Sequence, residues 1–238
     1  MYFLGDVHAE SPLMKGFLES KEKYCLQLGD FGFIFKYNDW KWNKFLNHFA
    51  RDYPEKMIFT VLGNHENYDS IEKMPVKTMF GARCREIRPN IYAVERGEIL
   101  SIEGLNILCI GGADSVDRMW REWGVSWWNQ EKITDSDVKK TIEKGLNCSF
   151  DMVCSHAMPA FFMMRNFKPC FETDSEFSLE KIYCDIENND VHIPLWLGGH
   201  VHRSIDMMYN DTLFRSLDIG EGIEYHQGDS IEDKFLIQ

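Results

Sequence analysis

Five short apolar runs in this chain each stop at a loop that carries aspartate, asparagine or histidine. No other feature limits the available folds as strongly. The loops are Gly5-Asp6-Val7-His8, Gly29-Asp30, Gly63-Asn64-His65-Glu66, Ser155-His156 and Gly199-His200-Val201-His202. The third shows the logic. Residues 57–62 are apolar and partly β-branched, so they read as a buried strand that stops at Gly63. Glycine at a strand's end reaches backbone angles that other residues avoid. Asn64 and His65 then lie at the mouth of a sheet, where ligands usually bind. One Gly-Asn-His triplet is only a polar turn. Five such loops are hard to explain without a common centre.

The rest of the chain is expected to hold these loops in layers. Residues 1–4 and 24–28 read as strands. Ser11-Pro12 looks like a helix start, with Ser11 as cap and Leu13, Phe17 and Leu18 as the apolar face. Asn38 is expected to cap a second helix that turns Trp40, Phe45, Leu46 and Phe49 into the core, with His48 a surface or packing residue. Strand, helix, strand, helix, strand implies an α/β layered sheet. Residues 69–89 read as a short helix and a long loop. Strands follow at 91–94, 98–102 and 105–110, with Glu103-Gly104 as a hairpin turn. Thr134 or Asp135 starts a helix, residues 151–154 form a strand, and Ser178 caps a helix to about residue 188. Strands at 194–197, 204–209, 212–217 and 235–237 complete the reading.

At 238 residues and 44% hydrophobic content, one substantial core is expected, and residues 1–238 are read as a single domain. A net charge of -12 argues against membrane surfaces and long nucleic acids, both anionic. An anionic small substrate stays open, because bound cations reverse local charge. The seven cysteines are Cys25, Cys84, Cys109, Cys148, Cys154, Cys170 and Cys184; none forms a Cys-x-x-Cys pair. They read as reduced thiols of a cytoplasmic protein, without a zinc-thiolate cluster. Neither a signal peptide nor a membrane span is expected.

Carboxylate, amide and imidazole groups suit manganese, iron or zinc. In Asp6-Val7-His8 and His200-Val201-His202, alternate side chains on an extended loop face one side. The donors are too many for one ion with open positions and suit two ions sharing a carboxylate. His192 and His226 read as solvated.

These motifs, in order from residue 5 to 202, resemble the calcineurin-like metallophosphoesterases. That family shows Asp-x-His, Gly-Asp, Gly-Asn-His-Glu/Asp, a later His, and Gly-His-x-His. The resemblance implies an α/β fold, a two-sheet β-sandwich flanked by helices (αββα). It implies that Asp6, His8 and His202 hold one divalent ion and that Asn64, His156 and His200 hold the other. Asp30 would bridge them, and His65 would stand beside the phosphate without binding metal. The implied activity is hydrolysis of a phosphodiester or small phosphomonoester, a nucleotide among them. A metal-bridging hydroxide attacks in line, and His65 assists the leaving group. Manganese is the first expectation, with iron and zinc as alternatives. Glu66 either orients a neighbour or is structural. A second reading is a catalytically silent scaffold for protein binding, since some members of the family have lost ligands; none is lost here.

Gly29-Asp30-Phe31-Gly32 lacks the Asp-Arg-Gly of the serine/threonine protein phosphatase branch, so that activity is not expected. Residues 111–118 followed by Trp127-Trp128 instead resemble a bacterial and phage-type group. Arg118 or Arg121 could bind substrate phosphate, and a tryptophan could stack on a flat group. The other reading has Arg118 and Arg121 packing with Trp120, Trp123, Trp127 and Trp128 as a cation–π plug.

Overall fold

A computed structural model describes residues 1–36, 39–168 and 173–235. In chain order its strands are β1 (Tyr2–Leu4), β2 (Tyr24–Gln27), β3 (Met57–Thr60), β4 (Val76–Met79), β5 (Ala82–Arg88), β6 (Ile91–Val94), β7 (Glu98–Ile102), β8 (Leu105–Ile110), β9 (Met152–Ser155), β10 (Leu195–Gly198), β11 (Ile205–Tyr209), β12 (Thr212–Ser216) and β13 (Gly222–Glu224). The helices are α1 (Lys15–Glu19), α2 (Trp40–Asp52), α3 (Tyr68–Ile71), α4 (Asp135–Asn147), α5 (Ala160–Asn166), α6 (Asp174–Glu187) and α7 (Ile231–Phe235).

The strands form two mixed sheets. One runs β13-β1-β2-β3-β6-β5-β4 and the other β11-β12-β10-β9-β8-β7. In the first, β1, β2, β3 and β6 are parallel neighbours. In the second, β8, β9, β10 and β12 are. Alternate residues explain the layering. Phe3, Leu26, Phe59, Ile107, Cys109, Met152, Cys154, Leu195 and Leu197 fill the space between the sheets. Their neighbours face outward. Leu4, Cys25 and Ile58 pack with Phe17 of α1 and Leu46 and Phe49 of α2. Leu108, Val153 and Trp196 pack with Val138 of α4, Phe162 of α5 and Leu179 and Ile182 of α6. Strands buried on both faces read as unbroken apolar runs, which is why these were visible in the sequence. The arrangement is the expected αββα sandwich.

Several local expectations are corrected. Beyond α3, residues 69–89 do not form a loop: β4 and β5 make an antiparallel hairpin on the edge of the first sheet. Ala82 and Cys84 face the core between the sheets, Ile87 packs on the opposite face with Leu46 and Phe49 of α2, and the register shifts between Glu86 and Arg88. Neither face then carries, over the strand's full length, the apolar alternation a strand is recognised by. Ser11 does not cap α1. A 3-10 turn over Ser11–Met14 precedes it, with Glu10 in the cap position. Trp40 is 68% exposed, not core. Asn38 lies outside the described residues, and Asp39 caps α2 by accepting from Lys41 and Trp42 N–H. Ser178 lies inside α6, which Thr173 caps in a reciprocal box with Glu176. At residue 235 there is a helix, α7, and the last paired strand is β13. Residues 236–238 lie outside the described part.

Cys25, Cys84, Cys109, Cys148, Cys154 and Cys184 are free thiols, and Cys170 is outside the described residues. No helix among the described residues is long and apolar enough to cross a membrane.

Candidate metal centre

Parallel strands in each sheet aim their carboxyl ends one way, so their loops converge. Asp6 follows β1, Asp30 follows β2, Asn64 and His65 follow β3, His156 follows β9, and His200 and His202 follow β10. Backbone bonds lace the loops together. His8 N–H donates to the Asp30 carbonyl at 2.8 Å, and Gly199 N–H to the His156 carbonyl at 2.9 Å. Beneath them lies a buried polar knot. Gln27 donates to the Gly5 carbonyl at 3.1 Å and to the Gly29 carbonyl, and accepts from Thr60 Oγ1 at 2.6 Å. A glutamine and a threonine inside apolar strands were the available signals for this knot.

The packing is tight enough to dictate glycine. A Cβ on Gly63 would strike Asp30 Oδ1 and stand 2.7 Å from His156 Nε2. His8, Asp30, His200 and His202 all hold positive φ, at 48°, 52°, 68° and 52°. Such angles are uncommon away from glycine and gather where surrounding structure holds strained side chains at sites.

Two donor clusters result. Asp6, His8, Asp30 and His202 offer atoms within 4.8 Å of one another, as do Asp30, His156 and His200. Asp30 belongs to both. Asn64 Oδ1 joins the second cluster, 3.3 Å from His156 Nε2.

The donor chemistry fits cations. His156 donates from Nδ1 to the Leu28 carbonyl at 2.8 Å. Its Nε2 then faces Asp30 Oδ1 at 3.2 Å and the Asn64 amide oxygen. Both are acceptors, so the nitrogen must carry either a proton or a cation. Burial disfavours the imidazolium, but the Asp30 carboxylate outweighs it and pushes His156 up to about 10. Burial likewise pushes the Asp30 carboxyl up, and His156 overrides it to hold Asp30 well below the usual carboxylate range. Burial, with the His156 charge behind it, pushes His200 down to about 4. Asp6 Oδ2 is buried without a hydrogen-bond partner, although His202 Nε2 stands 3.0 Å away. His8 Nε2 and His202 Nε2 are 3.1 Å apart. The Asp6 carboxylate raises His202. Lone pairs converging from oxygen and nitrogen, with a backbone carbonyl fixing one tautomer, are the hallmark of a site for divalent metal.

His65 sits at the rim. Its N–H donates to Asp30 Oδ1 at 2.8 Å, and Arg121 Nη2 donates to its Nε2 at 2.9 Å. Burial lowers its basicity, Asp30 opposing and Arg121 assisting. Arg121 also donates to the Asn64 carbonyl at 3.0 Å and pairs with Asp117 at 2.7 Å. Arg118 is exposed and does not line the cleft. Glu66 is buried and accepts from Gly32 N–H at 3.1 Å and Gly63 N–H at 2.6 Å, tying two donor loops together. Burial, then Asp30, pushes its carboxyl up to about 8. His192 and His226 are exposed.

Sequence reasoning did not find what holds residues 113–131 in place. Buried Glu131 accepts from Ser115 N–H at 2.6 Å, Ser115 Oγ at 2.9 Å and Trp127 Nε1 at 2.9 Å. Ser115 Oγ accepts from Asn64 Nδ2 at 3.4 Å, which turns the amide oxygen toward His156. Arg96 donates to the carbonyls of Gly111 and Lys132 and to Asp137. The cation–π plug is corrected: among the described residues neither Arg118 nor Arg121 lies over a tryptophan. Trp120 and Trp123 are 89% and 72% exposed. Trp128 alone of the four is fully buried, against Phe35, which packs on His65.

The centre opens into a cleft of about 820 Å³ whose lining includes Asp117, Arg121, Met163 and Phe167.

The family model for calcineurin-like phosphoesterases matches residues 1–204, and the chain belongs to that family. No curated protein matches closely enough to count. Solved structures are similar to the chain at low identity. Phosphopantetheinyl hydrolase of Mycobacterium tuberculosis is 13% identical over 92% of this chain and 89% of its own, with TM-score 0.49. GAP50, the anchor in the inner membrane complex of Plasmodium, is 11% identical over 92% and 72%, with TM-score 0.52. A protein assigned as a 5′-nucleotidase from Staphylococcus aureus is 16% identical over 91% and 44%, with TM-score 0.41. Of these three, GAP50 passes a TM-score of 0.5, and at 11% identity that likeness is one of fold alone. Family and donor set together point to phosphoesterase chemistry in general.

Proposed function

From membership in the calcineurin-like phosphoesterases, we propose that this chain is a metal-dependent hydrolase of a phosphodiester or small phosphomonoester, nucleotides included. The observation that carries the reading is the sharing of Asp30 by two donor clusters. Asp6, His8, Asp30 and His202 would hold one cation; Asp30, Asn64, His156 and His200 would hold the other. Manganese suits these donors, as do iron and zinc. Such a pair, when bound, supplies positive charge against the phosphoryl oxygens and acidifies water. Residues 1–238 would act as one domain, in the cytoplasm.

The chain's own residues do the rest. Arg121 presents a guanidinium at the cleft, the group best matched to phosphoryl oxygens. It now donates to His65 Nε2, so that nitrogen bears no proton. A phosphate ester that draws Arg121 away frees His65 Nε2 to take a proton and pass it to the departing oxygen. Glu66 keeps the Gly32 and Gly63 backbones, and hence Asp30 and Asn64, at fixed separation. Asn64 is held by Ser115 and acts beside the reacting group.

The test is hydrolysis of p-nitrophenyl phosphate and its bis-ester by metal-stripped protein with manganese restored. Turnover that needs manganese and disappears in Asn64→Ala and His65→Ala is expected, and the preferred ester separates diesterase from monoesterase. Manganese binding with no turnover of either ester would replace this reading with the protein-binding scaffold.

A further inference from the structure

Away from the donor clusters the cleft is lined by Val116, Asp117, Met163, Phe167, Thr173 and Glu176. Asp117 is engaged by Arg121 at 2.7 Å. Thr173 and Glu176 are engaged with each other: Thr173 N–H donates to Glu176 Oε2 at 2.8 Å, and Glu176 N–H to Thr173 Oγ1 at 3.4 Å. The apolar side chains of this lining are Val116, Met163 and Phe167. Val116 is 76% exposed, and Met119 and Trp120, beyond Asp117 and Arg118, are 86% and 89% exposed outside the cleft lining. Exposed apolar surface of this kind, joined to a polar centre, marks a ligand contact.

We propose that the phosphate ester has an apolar body, an alkyl or aryl group, that lies along Val116, Met163 and Phe167 while its phosphate faces the donor clusters. This rests on the phosphoesterase reading and narrows it. A sugar or polyol lying against these three apolar side chains would give up hydrogen bonds to water without replacing them, which selects against it. An alkyl chain loses nothing polar and gains roughly fourfold in affinity for each fully buried methylene. The source is a soluble ester and not a lipid surface, because a net charge of -12 repels anionic bilayers.

The experiment is calorimetry on the manganese-loaded full chain with methyl, hexyl and glycerol phosphate. Hexyl phosphate is expected to bind at least about tenfold more tightly than methyl phosphate, and glycerol phosphate no more tightly than methyl. Phe167→Ser and Val116→Ser should each narrow the hexyl-to-methyl ratio. Val116 is exposed, so its variant folds even if Phe167→Ser does not. Equal affinities for hexyl and glycerol phosphate would overturn the proposal, and so would co-sedimentation of the protein with phosphatidylcholine vesicles for its soluble source. Turnover of hexyl p-nitrophenyl phosphate, measured alongside, separates the two readings. Turnover with no chain-length preference removes the apolar body and leaves the phosphoesterase. Preference in binding with no turnover leaves the wall and removes the enzyme.

Discussion

The two donor clusters share Asp30 but are held differently. His156 is fully buried, its tautomer set by the Leu28 carbonyl, and Asn64 is oriented by Ser115. His8 and His202 are partly and largely open to the cleft, face each other at 3.1 Å, and lean on Asp6. One cluster is preorganised by the protein's interior; the other has two buried carboxylates, Asp6 and Asp30, and two more exposed imidazoles. Preorganised donors cost less to arrange and release a cation more slowly. The buried cluster should therefore be the tighter site.

Asp30→Asn attacks both clusters at once and has the largest expected effect. If the proposed pair of ions is bound, metal content should fall toward none, and hydrolysis by about a thousandfold or more. Two ions retained would mean the clusters are independent. Next, His156→Gln should cost more metal affinity than His202→Gln, by about tenfold in a manganese titration; the reverse order would break the comparison. Ser115→Ala frees the Asn64 amide and should weaken only the tighter site, by about tenfold, with Ser115→Thr restoring it. An equal loss at both sites would show that Ser115 acts generally. Arg121→Ala should raise the KM for a phosphate ester several-fold, while Arg118→Ala leaves it unchanged, since Arg118 lies outside the cleft.

The smallest effect is in pH. Burial pushes the Asp114 carboxyl up, but the Ser175 hydrogen bonds and then Lys132 hold it below its ordinary value. Its stabilisation is present above the unfolded value of about 4 and lost as pH falls through the lower folded value. Because Asp114 pins the segment that carries Ser115, acid should change tryptophan fluorescence before global unfolding. Asp114→Asn should lack that early step.

Legibility followed burial. Strands β1, β2, β3, β8, β9 and β10 are covered on both faces, so their apolar runs were plain, and each donor motif begins where a run ends. The β4–β5 hairpin was not legible, because Arg83, Arg85, Glu86 and Arg88 dilute its pattern and its buried residues pass from one face, Ala82 and Cys84, to the other, Ile87. Strand β13 is three residues long and exists through its pairing with β1. In the 113–131 segment, aromatic content suggested a packed plug. The hydrogen bonds of Glu131 and Arg96 hold the segment instead, leaving Trp120 and Trp123 outside.

By itself the sequence determined which residues could donate to metal and that each would stand at a strand's carboxyl end, because periodicity and glycine stops are local. Only the tertiary structure decided that donors from two different sheets meet, with Asp30 and His156 3.2 Å apart. It also decided that one cluster is more deeply buried than the other, and that Arg121, not Arg118, reaches His65. Those outcomes depend on how two sheets pack and how a long segment folds back over them, and no local pattern encodes a distance between residues so far apart in the chain.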